Sequence, residues 1–145
     1  MPTSPERKDV PILRAAVRGA GLRVTPARIA LLRLLRASTS PLSHADVVAR
    51  LESHGFDAAT LYRNLLDFAE KGLARRADVG QVRRFEAASG EADDIAHPHF
   101  VCNQCGRVEC LPDVTVVMPK GVRGPNAVRQ KEVEVQMKGV CDFCA

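Results

Sequence analysis

The chain has 145 residues, enough for one or two small domains, with 46% apolar residues to fill a core and a formal charge of +4. Its apolar runs are too short to cross a bilayer, and its opening residues, MPTSPERKDV, lack the apolar stretch of a signal peptide; a soluble, cytoplasmic protein is expected. Residues 1–88 hold 15 Lys/Arg against 9 Asp/Glu, net +6, and the remainder holds 6 against 8, net −2, so only the front of the chain is suited to a polyanion.

Residues 1–8 read as a tail. Asp9 is placed to cap a first helix over about 10–20, with Ile12, Leu13, Ala16 and Val17 on one side and Gly19 and Gly21 at its end. Thr25 and Pro26 open a second helix, because Thr is a good N-cap and Pro suits the first helical position. Its stripe is Ala27, Leu31, Leu34 and Leu35, with Arg28, Arg33 and Arg36 outside it. Ser43 caps a third helix over about 44–54, facing inward through Val47, Val48 and Leu51. His44 and His54 on that helix read as a surface residue and a partner for the helix dipole.

Asp57 caps a fourth helix from Ala58 to about Lys71, which ends at Gly72. Leu61, Leu65, Phe68 and Ala69 share one side, and Thr60, Arg63, Asn64, Asp67 and Lys71 the other, with Tyr62 at the edge. The tight turn at Gly55-Phe56 makes helices three and four a helix-turn-helix. Leu73–Val79, a turn at Gly80 and Gln81–Ala87 then form a hairpin carrying Arg75, Arg76, Arg83 and Arg84. Helices followed by a basic hairpin make a winged helix over residues 9–88. Residues 89–96, ASGEADDIA with Ala88, read as a polar hinge.

The rear domain, 97–145, is read as β-rich. Phe100–Cys102 and Arg107–Leu111 form a hairpin around Cys102-Asn-Gln-Cys105-Gly106. Residues 112–130, with Pro112, Pro119, Pro125, Gly121 and Gly124, exclude a long helix. Glu132–Met137 alternates and reads as a strand leading to Cys141. The fold class expected is therefore α+β, an N-terminal winged helix-turn-helix followed by a small β-rich zinc-binding domain.

Cys102-x-x-Cys105 and Cys141-x-x-Cys144, with 35 residues between the pairs, can close one tetrahedral zinc site from four thiolates. Disulfides belong mainly to exported chains. In a helix-turn-helix the second helix enters the major groove and its N-terminal residues reach the bases. Thr60, Tyr62, Arg63 and Asn64 are the candidates for the bases and nearby phosphates of double-stranded DNA. Arg28 and the wing arginines, Arg75 and Arg83 among them, are the candidates for phosphate.

In the order and spacing of these pieces the chain resembles the ferric uptake regulator family of metal-responsive transcription repressors. The resemblance rests on Leu22-Arg-Val-Thr-Pro-Ala-Arg28, Ala59-Thr-Leu-Tyr-Arg63, Arg84-Phe-Glu86, His97-x-His99-x-x-Cys102-x-x-Cys105-Gly106 and Gly139-Val-Cys-Asp-Phe-Cys144. It covers roughly residues 10–111 and 131–145. It implies a dimerisation domain behind the winged helix, a structural zinc on Cys102, Cys105, Cys141 and Cys144, and DNA contacts from Tyr62 and Arg63. It also implies a second, regulatory metal site at the hinge, mapped onto Glu86, His97, His99 and Cys110.

His97 and His99, two apart in an extended segment, are expected on one face, with Cys110 on the returning strand. Cys110 stands where the family has a carboxylate. Pro41 stands where many members have a histidine, and Glu132 and Val133 where others have histidines. A thiolate beside imidazoles favours zinc over manganese or iron(II).

The reading is a homodimeric, metal-dependent repressor of a palindromic operator. The alternatives are a peroxide-, redox- or iron-responsive regulator of the same family, or a DNA binder whose only zinc is structural. A zinc deaminase would need H-x-E ahead of P-C-x-x-C, and four thiolates leave no open position for water, so an enzyme is not expected.

Overall fold

The computed structural model describes residues 8–79, 81–88 and 97–145. The expected tail, the Gly80 turn and the 89–96 hinge fall outside or largely outside these residues. The described residues form two compact units, each taken on its own below.

The first unit runs α1 (Val10–Gly19), α2 (Pro26–Ala37), β1 (Leu42–Ser43), α3 (His44–Arg50), a 3₁₀ turn at Glu52–His54, α4 (Ala58–Lys71), β2 (Ala74–Val79) and β3 (Val82–Ala87). Local chemistry sets most of these boundaries. The Thr25 hydroxyl accepts from the Arg28 amide at 3.2 Å with Pro26 just inside α2. Ser43 and Asp46 cap α3 reciprocally, Asp46 N–H to Ser43 Oγ at 3.1 Å and Ser43 N–H to Asp46 Oδ2 at 2.9 Å. The Asp57 carboxylate accepts from the Thr60 amide, and Gly72, at φ 81°, closes α4 in a left-handed conformation that costs glycine little.

Asp9 departs from expectation. It stands at the head of α1 without a side-chain capping bond. Its carboxylate instead takes Arg33 Nε at 3.0 Å and a second guanidinium nitrogen at 3.1 Å, joining α1 to α2. That hydrogen bonding, against some desolvation, holds its carboxyl below the usual range.

The core of this unit is one cluster of Leu13, Val17, Leu31, Leu32, Leu35, Val47, Leu61, Leu65, Phe68 and Phe85 with smaller neighbours. The sheet order is β1-β3-β2, and Leu42 pairs with Phe85. Two-residue β1 was not expected. It exists because Pro41 and Leu42 are both buried and Leu42 must lie against the wing to stay so.

The second unit has β4 (His99–Cys102), β5 (Val108–Cys110), the single turn α5 (Asn126–Arg129) and β6 (Gln136–Gly139). β4 is central, antiparallel to β5 and parallel to β6. As expected from its prolines and glycines, 112–130 holds no helix longer than α5. The last strand begins later than the alternation of Glu132–Met137 predicts. Its position is set by pairing instead, His99 opposite Gln136 through Cys102 opposite Gly139. Gly139 lies close under the Phe100 ring, where a Cβ would come within 3.1 Å. No described helix is long and apolar enough to cross a membrane.

Candidate nucleic-acid interface and metal centres

In α4, Leu61, Asn64, Leu65 and Phe68 recur at i, i+3, i+4 and i+7 and are buried. This fixes which side chains are left outside. Arg63 is exposed and Thr60 and Tyr62 are half-exposed, as a groove-reading helix requires. Asn64, assigned to the polar side from sequence, is 7% exposed. It sits three residues after Leu61 and four before Phe68, so helical geometry carries it onto the apolar stripe and away from a base edge.

Arg28 is likewise committed inward. Its guanidinium meets Asp67 Oδ2 at 2.8 Å and the Arg23 carbonyl at 2.8 Å. It ties α2 to α4 and is 15% exposed, so it braces the helix rather than standing free for phosphate.

The wing arginines divide. Arg84 donates to Asp46 at 3.3 Å, linking β3 to the cap of α3. Burial works to raise the Asp46 carboxyl, but the Ser43 amide and hydroxyl and the Arg84 charge outweigh it, and it lies below the usual carboxylate range. Arg76 pairs with Asp78 on its own strand. Arg83 is exposed and donates to the Tyr62 hydroxyl at 2.9 Å. Arg75 is half-exposed on β2.

The second unit holds the sulfurs. The ligand atoms of Cys102, Cys105, Cys141 and Cys144 all lie within 4.8 Å of one another, and Cys105 Sγ and Cys141 Sγ are 3.7 Å apart. Four sulfurs at about 2.3 Å from one tetrahedral centre would be separated by roughly 3.8 Å. The turns that bring them there are local. The Gly106 amide donates to the Cys102 carbonyl at 3.0 Å with Gly106 at φ 73°, and the Cys144 amide to the Cys141 carbonyl at 2.9 Å.

The thiols also compete for charge. Amides, chiefly of Cys105 and then of Cys141, draw the Cys102 thiol down to about 6. Thiol hydrogen bonds from Cys141 and Cys105 push Cys144 up to about 12. A metal-free cluster can carry few negative charges, whereas a divalent cation lets all four ionise. Distance, donor type and charge fit zinc.

Cys110 stands apart from this knuckle. It is the cross-strand partner of His99, and a His99 ring nitrogen and the Cys110 sulfur lie within 4.8 Å. His99 is 1% exposed. His97, expected on the same face, precedes the strand and is exposed, with Pro98 buried between the two. The extended alternation that would align the histidines begins only at His99, so His97 lies outside the pair. Glu86 is half-buried on β3 of the first unit. The contact sequence reading missed most plainly is His44. Its ring packs against Tyr62 with centroids 5.1 Å apart, and its Nε2 lies 2.8 Å from the Ala58 carbonyl. Nothing in a first-turn histidine singles out that contact until α3 and α4 are packed.

A winged helix-turn-helix with a compact four-thiol metal knuckle behind it defines a class, transcription regulators that bind metal. The chain matches the Ferric uptake regulator family over residues 19–136 and belongs to it. It is 34% identical over 134 residues to the ferric uptake regulation protein of Legionella pneumophila, across 88% of this chain and 95% of the relative. It is 34% identical over 98 residues to the peroxide-responsive repressor PerR of Staphylococcus aureus, across 65% of this chain and 62% of that protein. It is similar to the crystal structure of the Vibrio cholerae ferric uptake regulator, with a TM-score of 0.62 and 25% identity, covering 88% of this chain and 98% of the other. The family is one of transcription regulators, not enzymes.

Proposed function

We propose that this chain is a dimeric repressor that binds a palindromic operator when a regulatory zinc ion is bound, and that a second zinc on Cys102, Cys105, Cys141 and Cys144 is structural. The observation that carries the reading is the His99–Cys110 pair. A buried imidazole and a thiol, in register on neighbouring strands, stand outside the four-thiol knuckle. We assign Glu86 as the further ligand; His97, exposed ahead of β4, is left outside the set. A thiolate in the set favours zinc over iron(II) and manganese.

A bound ion would supply a divalent charge that holds its ligands in one arrangement. His99 and Cys110 on the β4–β5 hairpin and Glu86 on β3 would hold it. An ion that favours the DNA-competent arrangement shifts the population toward it, and DNA in turn tightens metal binding. In a two-fold dimer the two copies of α4 then meet half-sites about 34–36 Å apart or a multiple of that. Arg63, Thr60 and Tyr62 face the bases, and Arg75 and Arg83 the backbone.

The test is a mobility shift on a duplex enriched from a random pool, with zinc, manganese and iron(II) titrated separately. Zinc should act at the lowest free concentration. Cys110→Ser should abolish the response while one zinc per chain remains. Arg63→Ala should weaken specific binding by roughly 1–3 kcal/mol. Equal binding with and without added metal would refute the regulatory reading and leave a DNA binder with structural zinc alone. Cys110 also supports a second reading, as a thiol whose oxidation ends the response. In that case peroxide should release DNA from the wild type and not from Cys110→Ser.

A further inference from the structure

The chain has one tyrosine, and it is held from two sides before any DNA arrives. The His44 ring, from the first turn of α3, lies tilted against the Tyr62 ring at 5.1 Å. Its Nε2 is 2.8 Å from the Ala58 carbonyl in the first turn of α4. A carbonyl only accepts, so Nε2 carries the hydrogen and the imidazole pins the N-terminal end of α4. From β3, an Arg83 guanidinium N–H reaches the Tyr62 oxygen at 2.9 Å. Three elements, α3, α4 and β3, thus fix one phenol.

The direction of the Arg83 bond has a chemical consequence. Guanidinium has no lone pair to offer, so the Tyr62 oxygen must accept. The phenol hydrogen is then turned away from Arg83. A hydroxyl whose oxygen already accepts from a cation is polarised into a stronger donor. An exposed side chain fixed in advance also loses less freedom on binding than a mobile one. Acceptors abound on the floor of the major groove: N7 and O6 of guanine, N7 of adenine, O4 of thymine.

We propose that Tyr62 is a preorganised hydrogen-bond donor that selects one acceptor on a base edge, and that Arg83 and His44 are the residues that aim it. The inference rests on the DNA-binding reading of α4. It changes the role of Arg83. A wing arginine that only neutralised phosphate would add affinity on every sequence alike, whereas an arginine that aims Tyr62 adds selectivity.

The test uses the zinc-loaded full chain and a duplex that the wild type enriches from a random pool. Binding to that duplex and to random duplex is measured across salt for wild type, Tyr62→Phe, Arg83→Gln and the double variant. Each single change should lower the ratio of selected to random affinity about tenfold, and the double variant should be no worse than either. A His44→Gln chain, which keeps an N–H for the Ala58 carbonyl, should lose part of the ratio. In parallel, acceptors of the selected duplex are deleted one at a time, with 7-deazapurines for N7 and 6- or 4-deoxo bases for the carbonyls. One deletion should weaken the wild type and leave Tyr62→Phe unmoved.

In the free protein, tyrosine emission comes from Tyr62 alone. Arg83→Gln should make it more open to acrylamide quenching, and circular dichroism melts confirm that the variants fold. Three results overturn the inference: a ratio untouched by Tyr62→Phe, additive losses in the double variant, or an Arg83→Gln effect that is equal on both duplexes with a salt slope smaller by about 0.9. A wild type that enriches no sequence refutes the DNA-binding reading itself, and this inference with it.

Discussion

The two units of this chain are held by different physics. The first buries fourteen apolar side chains in a single cluster, with Phe68, Phe85, Leu31, Leu32 and Leu65 fully enclosed. Among the described residues of the second, the buried apolar set is Pro98, Val101, Cys102 and Cys141, while Val117, Met137, Val140 and Phe143 are exposed. Cys102 and Cys141 of that set are thiols of the knuckle. So the winged helix is stabilised as most domains are, by removing apolar surface from water, and the rear unit has short strand pairings and, on the proposed function, sulfur ligation of zinc. A small domain with so little core needs such a staple.

The sharpest way to break this contrast is to remove the metal. For four-thiolate sites the binding free energy is folding free energy, on the order of 10 kcal/mol at neutral pH. Chelation or Cys141→Ser should abolish amide protection across β4, β5 and β6. Tyr62 lies in the first unit, and its emission should keep its unfolding midpoint. A zinc-free chain that stayed protected in β4–β6 would show that the strands alone suffice.

The reverse cut is smaller. Phe85 is fully buried on β3, opposite Leu42. Phe85→Ala should cost the first unit about 3–5 kcal/mol, read by the denaturation midpoint of Tyr62 emission. Cobalt bound by the four thiolates should keep its charge-transfer absorption at denaturant concentrations where the tyrosine signal has already changed. A simultaneous loss of both signals would mean the two units unfold as one.

The same contrast explains what the sequence disclosed. Helices of the first unit were legible because capping residues, apolar periodicity and Gly72 agree with one another. The knuckle was legible because thiol spacing is a direct image of ligand geometry. What stayed hidden depends on packing between elements. Polarity alone puts Asn64 outside, but its angular position on α4 puts it in the core. By sequence alone Arg28 and Arg84 are free basic charge, whereas Asp67 and Asp46, 39 and 38 residues away in sequence, take them up. Registry likewise decides the rear unit. Pairing with β4 starts β6 at Gln136, and His97 falls outside the strand that carries His99.

Arg28 offers a third, weaker cut. Its contact with Asp67 joins groups 15% and 39% exposed, so solvent screens much of the attraction. In a double-mutant cycle of Arg28→Ala and Asp67→Asn the coupling should be about 0.5–1 kcal/mol in stability. Were Arg28 instead a phosphate contact, Asp67→Asn would free it and strengthen binding to random duplex. As a brace, the same change leaves that binding flat or weakens it.

The smallest effect expected is also the one that separates the units by pH. Asp46 is held below its ordinary value of 3.8 by Ser43 and Arg84, against the cost of burial. A carboxyl depressed in the folded state contributes stability that is fully present above its unfolded pKa and is lost as pH falls through the folded one. The Asp46 contribution to the first unit should therefore be constant from neutrality down to about pH 5 and fade below 3.8. Asp46→Asn should lower the midpoint of Tyr62 emission at neutral pH, and the gap to wild type should narrow as acid protonates the native carboxyl. Any acid loss of the rear unit is common to both chains and cancels in the difference. A gap that persists unchanged below pH 3 would mean that the Asp46 carboxylate charge contributes nothing, and that the cap of α3 is held by hydrogen-bond geometry alone.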